Sequence, residues 1–135
     1  MQLGSDDIIV PGFEKVIADK LKLGCAFFGF KEIYIYQSGK IKQVKTTRVF
    51  GAGRCIRKDI VKKCVPLWKP AQPFGLDNDS SRKIFNTTHI MPEILPGFGI
   101  IDIKTDQNIN KYTVFPEPEQ DAPDWIESLV NKSYI

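Results

Sequence analysis

The 135-residue sequence predicts a single α+β domain, in which two antiparallel hairpins contribute to one sheet and about three short helices pack around it. Three observations predict this class. Two runs rich in aromatic and β-branched residues are each divided by a turn signal, and three segments carry apolar residues at helical spacing. The apolar fraction of 42% is enough for one core. A small β-sandwich or barrel with peripheral helices is the alternative.

The chain begins with an expected flexible or edge segment over residues 1–10. Apolar residues then recur at helical spacing between Phe13 and Leu21. This pattern predicts a packing helix over about 12–22, which Gly24 can cap.

A hairpin within residues 25–50 is the strongest local pattern, because an aromatic strand and a basic strand flank the two-residue turn Ser38-Gly39. The predicted cross-strand pairs are Tyr36 with Ile41, Tyr34 with Gln43, Glu32 with Lys45, and Phe30 with Thr47. This register gathers one aliphatic face, the predicted core face, from Phe27, Ile33, Ile35, Val44 and Phe50.

The opposite face of the hairpin has two interpretations. Its rings are Phe28, Phe30, Tyr34 and Tyr36, and cations of the basic strand lie nearby. Aromatic rings interleaved with cations suit single-stranded nucleic acid, because rings stack on bases and cations neutralise phosphates. Alternatively, a helix covers the same rings.

The segment Gly51-Ala52-Gly53-Arg54 is predicted to turn the chain into a basic helix over about 54–64. Such a turn can present backbone N–H groups to an anion, with Arg54 as an additional donor. Ile56, Ile60 and Cys64 recur at helical spacing and are predicted to form the buried apolar stripe of this helix.

Two apolar loops with prolines follow, residues 65–75 and 91–99, and prolines exclude a regular helix or central strand in them. The first contains Trp68 and Phe74, and both loops are predicted to be assembly surfaces. Between them, residues 76–89 are polar, and their aspartates are expected to cap or form turns.

A second hairpin is predicted from residues 100–104 and 111–115, with its turn at 106–108. A last helix follows, with Asp121 as its expected N-cap and Trp125 in its apolar stripe.

Three cysteines cannot all pair within one chain, and no apolar run near the N-terminus is long enough for a signal peptide or a membrane span. We therefore expect reduced thiols and an intracellular or cytoplasmic protein that can be incorporated into a particle, with no membrane association. No cofactor or metal motif is present, since the cysteines lack the C-x-x-C spacing of zinc sites.

Charge is strongly segregated along the chain. Residues 40–63 contain nine basic residues and one acidic residue, whereas residues 84–135 contain three basic and eight acidic residues. A basic block of this kind steers a protein toward phosphates or an acidic protein surface. The candidate residues for contacts with a partner or nucleic acid are Lys40, Lys42, Lys45, Arg48, Arg54, Arg57, Lys58, Lys62, Lys63, Trp68 and Phe74.

Catalysis has two weak candidates. His89 is the single histidine and has hydroxyl neighbours that can orient an acid or base. The triplet Asp102-Ile103-Lys104 resembles the acid-x-lysine element of restriction-type nucleases, with Glu93 in the place of the earlier acid. That resemblance implies a magnesium ion held by the two carboxylates and a water positioned by Lys104.

These observations favour a non-enzymatic structural or assembly subunit that binds other copies or protein partners in a virion, tail or other large complex. A nucleic-acid-binding module that uses residues 40–63 is the alternative. A nuclease or nuclease-like toxin is the second alternative.

Overall fold

The computed structural model describes residues 7–67, 76–105 and 112–133, which contain eight strands, four α-helices and one 3-10 turn, Tyr112–Val114. The strands are β1 Asp7–Ile9, β2 Phe27–Phe30, β3 Glu32–Gln37, β4 Lys40–Lys45, β5 Cys55–Ile56, β6 Glu93–Leu95, β7 Ile100–Ile103 and β8 Gln120–Asp121. The helices are α1 Phe13–Lys22, α2 Lys58–Lys63, α3 Leu76–Thr88 and α4 Asp124–Ser133.

The α+β class is confirmed, but the strands form two sheets where the sequence predicted one. The larger sheet has the order β1-β7-β3-β4-β8, and the smaller has the order β5-β2-β6. Pairing is mostly antiparallel, with parallel pairs only at β3–β7 and β2–β6 among the described strands. Neither sheet closes into a barrel.

The first hairpin is confirmed in its turn and in three of its four predicted pairs. Ser38 and Gly39 both have positive φ, 48° and 82°, as a type I′ turn requires. The confirmed pairs are Glu32 with Lys45, Tyr34 with Gln43, and Tyr36 with Ile41. The fourth predicted pair is wrong, because the backbone N–H of Phe50 donates to the Phe30 carbonyl at 2.8 Å and bypasses Thr47.

A break at Lys31 explains why the predicted faces differ from those observed. β2 leaves the hairpin there and enters the smaller sheet, so the alternation of side chains restarts. Phe28 and Phe30 consequently join the aliphatic cluster of Ile33 and Ile35 instead of the aromatic face.

The aromatic face is reduced to two tyrosines, and α4 covers them. Tyr36 packs in a cluster with Ile126 of α4, and its hydroxyl donates to Glu127 at 3.1 Å. The Tyr34 ring stacks on Phe98 with 4.9 Å between centroids. Three of the four rings predicted to stack on bases are buried and Tyr34 is half-buried, so this face is core.

The second hairpin is wrong. β7 forms as predicted, but it runs parallel to β3 and antiparallel to β1. Its expected partner is a 3-10 turn in which Tyr112 is buried, and the predicted turn at 106–108 lies outside the described residues. Lys42 of β4 accounts for the difference, because its ammonium donates hydrogen bonds to the carbonyls of Tyr112 and Phe115 and so holds this segment near β4.

The helix predictions are partly confirmed. α1 and α4 form where they were predicted, although Asp121 lies in β8 rather than capping α4. α2 is shorter than predicted, since Cys55 and Ile56 pair with β2 before the helix begins. α3 was missed, because polar residues dominate it. Within residues 79–88, whose side chains the structure describes, Ile84 is the one fully buried apolar side chain, and it packs in a cluster with Phe27 and Ile60.

Candidate functional site: an apolar groove with a basic rim

Three exposed cations of the basic block, Lys40, Lys45 and Arg57, are held by contacts within the chain. Lys40 forms an ion pair with Asp121, and Lys45 lies 3.5 Å from Glu32. Arg57 binds Asp59 through its Nε at 2.6 Å and, through Nη1, the carbonyl of Gly24 at 2.9 Å. Exposed pairs of this kind add about 0 to 1 kcal/mol each, so they remain open to exchange with a partner.

Lys42 and Arg54 are buried and have structural contacts. The Lys42 side chain donates to the carbonyls of Tyr112 at 3.2 Å and Phe115 at 2.7 Å, and its Nζ lies 4.3 Å from the centre of the Tyr112 ring. The Nη1 of Arg54 donates to Ser81 of α3 at 3.0 Å. The fold therefore places both predicted contact residues inside, where a macromolecular partner does not reach them.

The glycine-rich turn packs tightly and does not lead into a helix. A Cβ on Gly53 would lie 2.8 Å from atoms of Ile100, and the residue has a φ of 77°. The turn runs into β5, and α2 begins only at Lys58. The predicted anion site at the start of a helix is therefore wrong.

Four cations of the block remain exposed without an ion pair among the described residues: Arg48, Lys58, Lys62 and Lys63. The three lysines lie on α2, whereas Arg48 lies in the segment that follows β4. Trp68 and Phe74 lie outside the described residues.

Arg48 belongs to a groove with a volume of about 470 Å³. Its walls are the segment after β4, the middle of α3 and the approach to β6. The lining residues are Lys31, Thr47, Arg48, Val49, Ser81, Arg82, Phe85, Met91, Pro92 and Ile94. The volume falls within the range of about 300 to 1,000 Å³ that is usual for ligand sites.

Val49 forms part of the groove lining and shows why β2 has a glycine. Val49 is buried against β2, and a Cβ on Gly29 would lie 3.2 Å from the Val49 Cβ. The missing side chain at Gly29 thus lets the segment after β4 approach the smaller sheet. This close approach forms one wall of the groove.

Three large apolar side chains of the groove remain exposed in the chain alone. Phe85 is 42% exposed, Met91 68% and Ile94 36%. Phe85 also packs edge-on against His89, with 5.8 Å between ring centres. The groove therefore offers apolar surface that the domain does not bury.

The rim of the groove is basic. It contains Lys31, Arg48 and Arg82, and none of the described residues that line it is acidic. Arg82 lies 3.6 Å from Asp79, whereas Lys31 and Arg48 have no ion pair within the described residues. An apolar ligand with negative charge has complementary chemistry to this surface.

β6 belongs to the third wall of the groove, and polar contacts of Glu93 stabilise this strand on the face that points away from the groove. Neighbouring residues on a strand point to opposite faces, so Glu93 points away from the groove that Ile94 lines. Glu93 pairs with Lys20 of α1 and accepts from the Cys25 thiol at 3.2 Å. The hydrogen bonds from Lys20 and Cys25 lower the pKa of Glu93, while burial, followed by the contact with Glu93, raises the pKa of Cys25.

The four residues proposed for catalysis lie in different parts of the fold. Glu93 is in the smaller sheet, Asp102 and Lys104 are beside each other on the larger sheet, and His89 ends α3. The Lys104 Nζ lies 2.9 Å from an Asp102 oxygen, in a pair that is largely buried. No group of three or more His, Cys, Asp or Glu residues suited to a metal occurs within the described ranges.

Sequence reasoning partly anticipated the groove. The loop of residues 91–99 was singled out, and Met91, Pro92 and Ile94 of that loop line the groove. Phe85 and Arg82 were missed because α3 was missed. No local signal joins the three walls, which come from distant parts of the chain.

None of the three cysteines forms a disulfide. Within the described residues, no helix combines the length and apolar character that crossing a membrane requires. No protein-family model, no curated protein and no solved structure matches this chain.

Proposed function

We propose that this chain is a non-enzymatic binding domain, an assembly subunit that joins a protein partner or another copy of itself through the groove. The observation that carries the proposal is the exposure of Phe85, Met91 and Ile94 around one groove. Burying apolar surface contributes about 25 cal/mol per Å², and clustered apolar side chains mark sites of association. A partner would remove these three side chains from water.

The contacts of the candidate catalytic groups also favour a non-enzymatic role. Asp102 and Lys104 pair with each other, and Glu93 pairs with Lys20 and Cys25. The Glu93–Lys20 pair joins β6 to α1, and the Asp102–Lys104 pair lies at the end of β7, so a structural role accounts for these residues without a reaction.

The charge distribution supports association between opposite surfaces. The basic rim of the groove and the exposed acidic side chains of Glu119 and Asp124 would orient an incoming partner or copy. Two different surfaces of one chain that attract each other give head-to-tail association.

Display of random 12-residue peptides on phage tests the proposal, because it requires no knowledge of the natural partner. Peptides are selected on the wild-type protein and then compared on a groove variant, Phe85→Ser with Met91→Ser. The matched control is Leu23→Ser with Val114→Ser, since both residues are exposed apolar side chains outside the groove.

We expect selected peptides to bind the control like the wild type and the groove variant at least about tenfold more weakly, which corresponds to about 1.4 kcal/mol. Equal binding to both variants, or no enrichment over the blank surface, would refute the proposal. Circular dichroism of each variant confirms that the comparison is made between folded proteins.

A nucleic-acid-binding module is the second candidate, and α2 is the observation that favours it. Lys58, Lys62 and Lys63 are exposed on this helix without an ion pair in the described part of the chain. Fluorescence anisotropy with a single-stranded oligonucleotide, from 50 to 200 mM salt, tests it. Changing the three lysines to glutamate should reduce the salt slope by about 2 units, at about 0.7 per phosphate contact. The control variant Lys15→Glu with Lys22→Glu should leave the salt slope unchanged. An unchanged slope in the α2 variant as well would exclude α2 as the nucleic-acid contact.

A further inference from the structure

We infer that the groove takes an extended acidic peptide, whose apolar side chains lie on Phe85, Met91 and Ile94 and whose backbone pairs with the outer edge of β6. This inference rests on the proposed function and specifies the class of partner. Three properties of the groove carry it: the charge of its rim, the open edge of one wall and the arrangement of its apolar residues.

The rim selects for negative charge. Lys31 and Arg48 face the groove without an ion pair among the described residues, so neither must give up an internal partner to bind a ligand. An arginine binds a carboxylate through two parallel hydrogen bonds, which gives direction as well as attraction. A basic peptide would meet three cations, including Arg82, and no acidic side chain among the described lining residues.

The wall formed by β6 offers backbone groups. β6 is the edge of the smaller sheet, with β2 on one side and no further strand among the described residues on the other. Edge strands accept extended peptides, because their outward N–H and C=O groups are free to pair. Pro92 and Pro96 flank β6 and lack an N–H, so pairing is limited to a short stretch centred on Ile94.

The apolar residues suit an extended chain. Ile94 and Met91 lie on the wall that carries the strand edge, and Phe85 lies on the α3 wall that faces it. A peptide paired with β6 points alternate side chains to the same face, and that face would be directed into the groove. The peptide backbone supplies affinity, while the groove and the rim supply selectivity for apolar and acidic residues.

Synthetic nonapeptides test the inference. Their five central positions are random, and the two residues at each end are all Glu, all Gln or all Lys. Binding to the full chain is measured by fluorescence anisotropy. We expect the Glu-flanked set to bind about tenfold more tightly than the Gln-flanked set, since each exposed ion pair adds about 0.2 to 1 kcal/mol, and we expect the Lys-flanked set to bind least. The variant Lys31→Glu with Arg48→Glu should reverse this order, while Lys15→Glu with Lys22→Glu should retain it.

Backbone pairing is tested on the tightest single Glu-flanked peptide. N-methyl groups are placed on alternate central residues, in one phase or in the other, because alternate N–H groups of an extended chain point to opposite sides. One phase should abolish binding and the other should retain it. Equal effects of the two phases would overturn the pairing with β6.

The outcomes separate this inference from the proposed function. If peptides bind and the variant Phe85→Ser with Met91→Ser loses them, but Gln- or Lys-flanked sets bind as well as the Glu-flanked set, the acidic partner is wrong and the groove remains a binding site. Displacement of the bound peptide by a single-stranded oligonucleotide would assign the groove to a phosphate ligand and overturn the inference. If no set binds, both the inference and the proposed function fail.

Discussion

Replacement of Gly53 by alanine distinguishes a packed turn from an open, ligand-binding loop. An ideal Cβ at this position lies 2.8 Å from two atoms of Ile100 and 3.1 Å from the Phe30 ring. No real Cβ contact is as short as 2.8 Å, so the core must shift to accommodate the methyl group. Gly24→Ala is the matched control, because Gly24 has a similar φ of 69° and no heavy atom within 4 Å of its ideal Cβ.

The two variants share one cost and differ in another. A left-handed backbone costs alanine about 1 to 2 kcal/mol, and restriction of the unfolded chain returns about 0.4 to 1 kcal/mol. Gly24→Ala should therefore lower the free energy of unfolding by about 1.6 kcal/mol or less. Overpacking adds about 1 to 3 kcal/mol for Gly53→Ala alone. Because domains have about 5 to 15 kcal/mol of stability, both variants should still fold.

Urea unfolding measures the difference directly, since it gives the free energy of unfolding of each variant under the same conditions. We expect Gly53→Ala to be less stable than Gly24→Ala by about 1 to 3 kcal/mol, the overpacking cost alone. A difference below about 0.5 kcal/mol, outside that range, would show that Gly53 is not tightly packed. A ligand that binds the folded protein raises its free energy of unfolding. We therefore expect inorganic phosphate to stabilise neither the variants nor the wild type.

Three further predictions concern buried and paired groups. Lys42→Met should lower the free energy of unfolding by about 1 to 3 kcal/mol in urea titrations, because two carbonyls lose their hydrogen-bond donor. The control Lys45→Met, at an exposed position, should change it by less than about 1 kcal/mol. Equal losses in the two variants would contradict the structural role of Lys42. Glu93→Gln should lower the raised pKa of Cys25 and speed its alkylation by iodoacetamide at a fixed pH, and an unchanged pH profile of alkylation would count against the contact. The contact with Lys20 lowers the pKa of Glu93 from 4.5, so the unfolded state binds the proton more readily and the free energy of unfolding should fall as pH drops below about 4.5. Urea titrations across that range should show a less steep fall for Glu93→Gln than for the wild type. The same fall with pH in both proteins would mean that the pair is absent.

The first hairpin could be predicted because its determinants are local. The turn Ser38-Gly39 fixes the spacing of the two strands, and alternation along β3 fixes the buried face. The error begins at Lys31, where the strand leaves one sheet for another. No local pattern marks that exit, because β2 is buried along its whole length and has no polar face to indicate a change of partner.

α3 and the 3-10 turn show how tertiary contacts override local preference. Within residues 79–88 of α3, whose side chains the structure describes, Ile84 is the single fully buried apolar side chain, so the apolar periodicity is too weak to be read from the sequence. The residues Tyr112 to Phe115 have strand propensity but form a turn, because Lys42 supplies their carbonyls with a donor from β4. Neither partner is close in sequence to the segment that it stabilises.

The candidate site was less accessible to prediction than the fold, because the fold redistributes charge. The nine cations of residues 40–63 suggested one basic surface, yet Lys42 and Arg54 are buried and three others are held by contacts within the chain. A count of charge along the sequence cannot distinguish a buried lysine beneath a turn from one exposed on a helix.

The groove therefore draws its positive charge from three separate parts of the chain, only one of which lies in the basic block. Of the nine cations in residues 40–63, only Arg48 lines the groove. Lys31 precedes β3, and Arg82 lies on α3. α2, in contrast, carries three exposed lysines from the block and no part of the groove. The two candidate functions consequently use different cations, and charge reversal at Lys31 and Arg48 affects the peptide site without touching the helix that would bind nucleic acid.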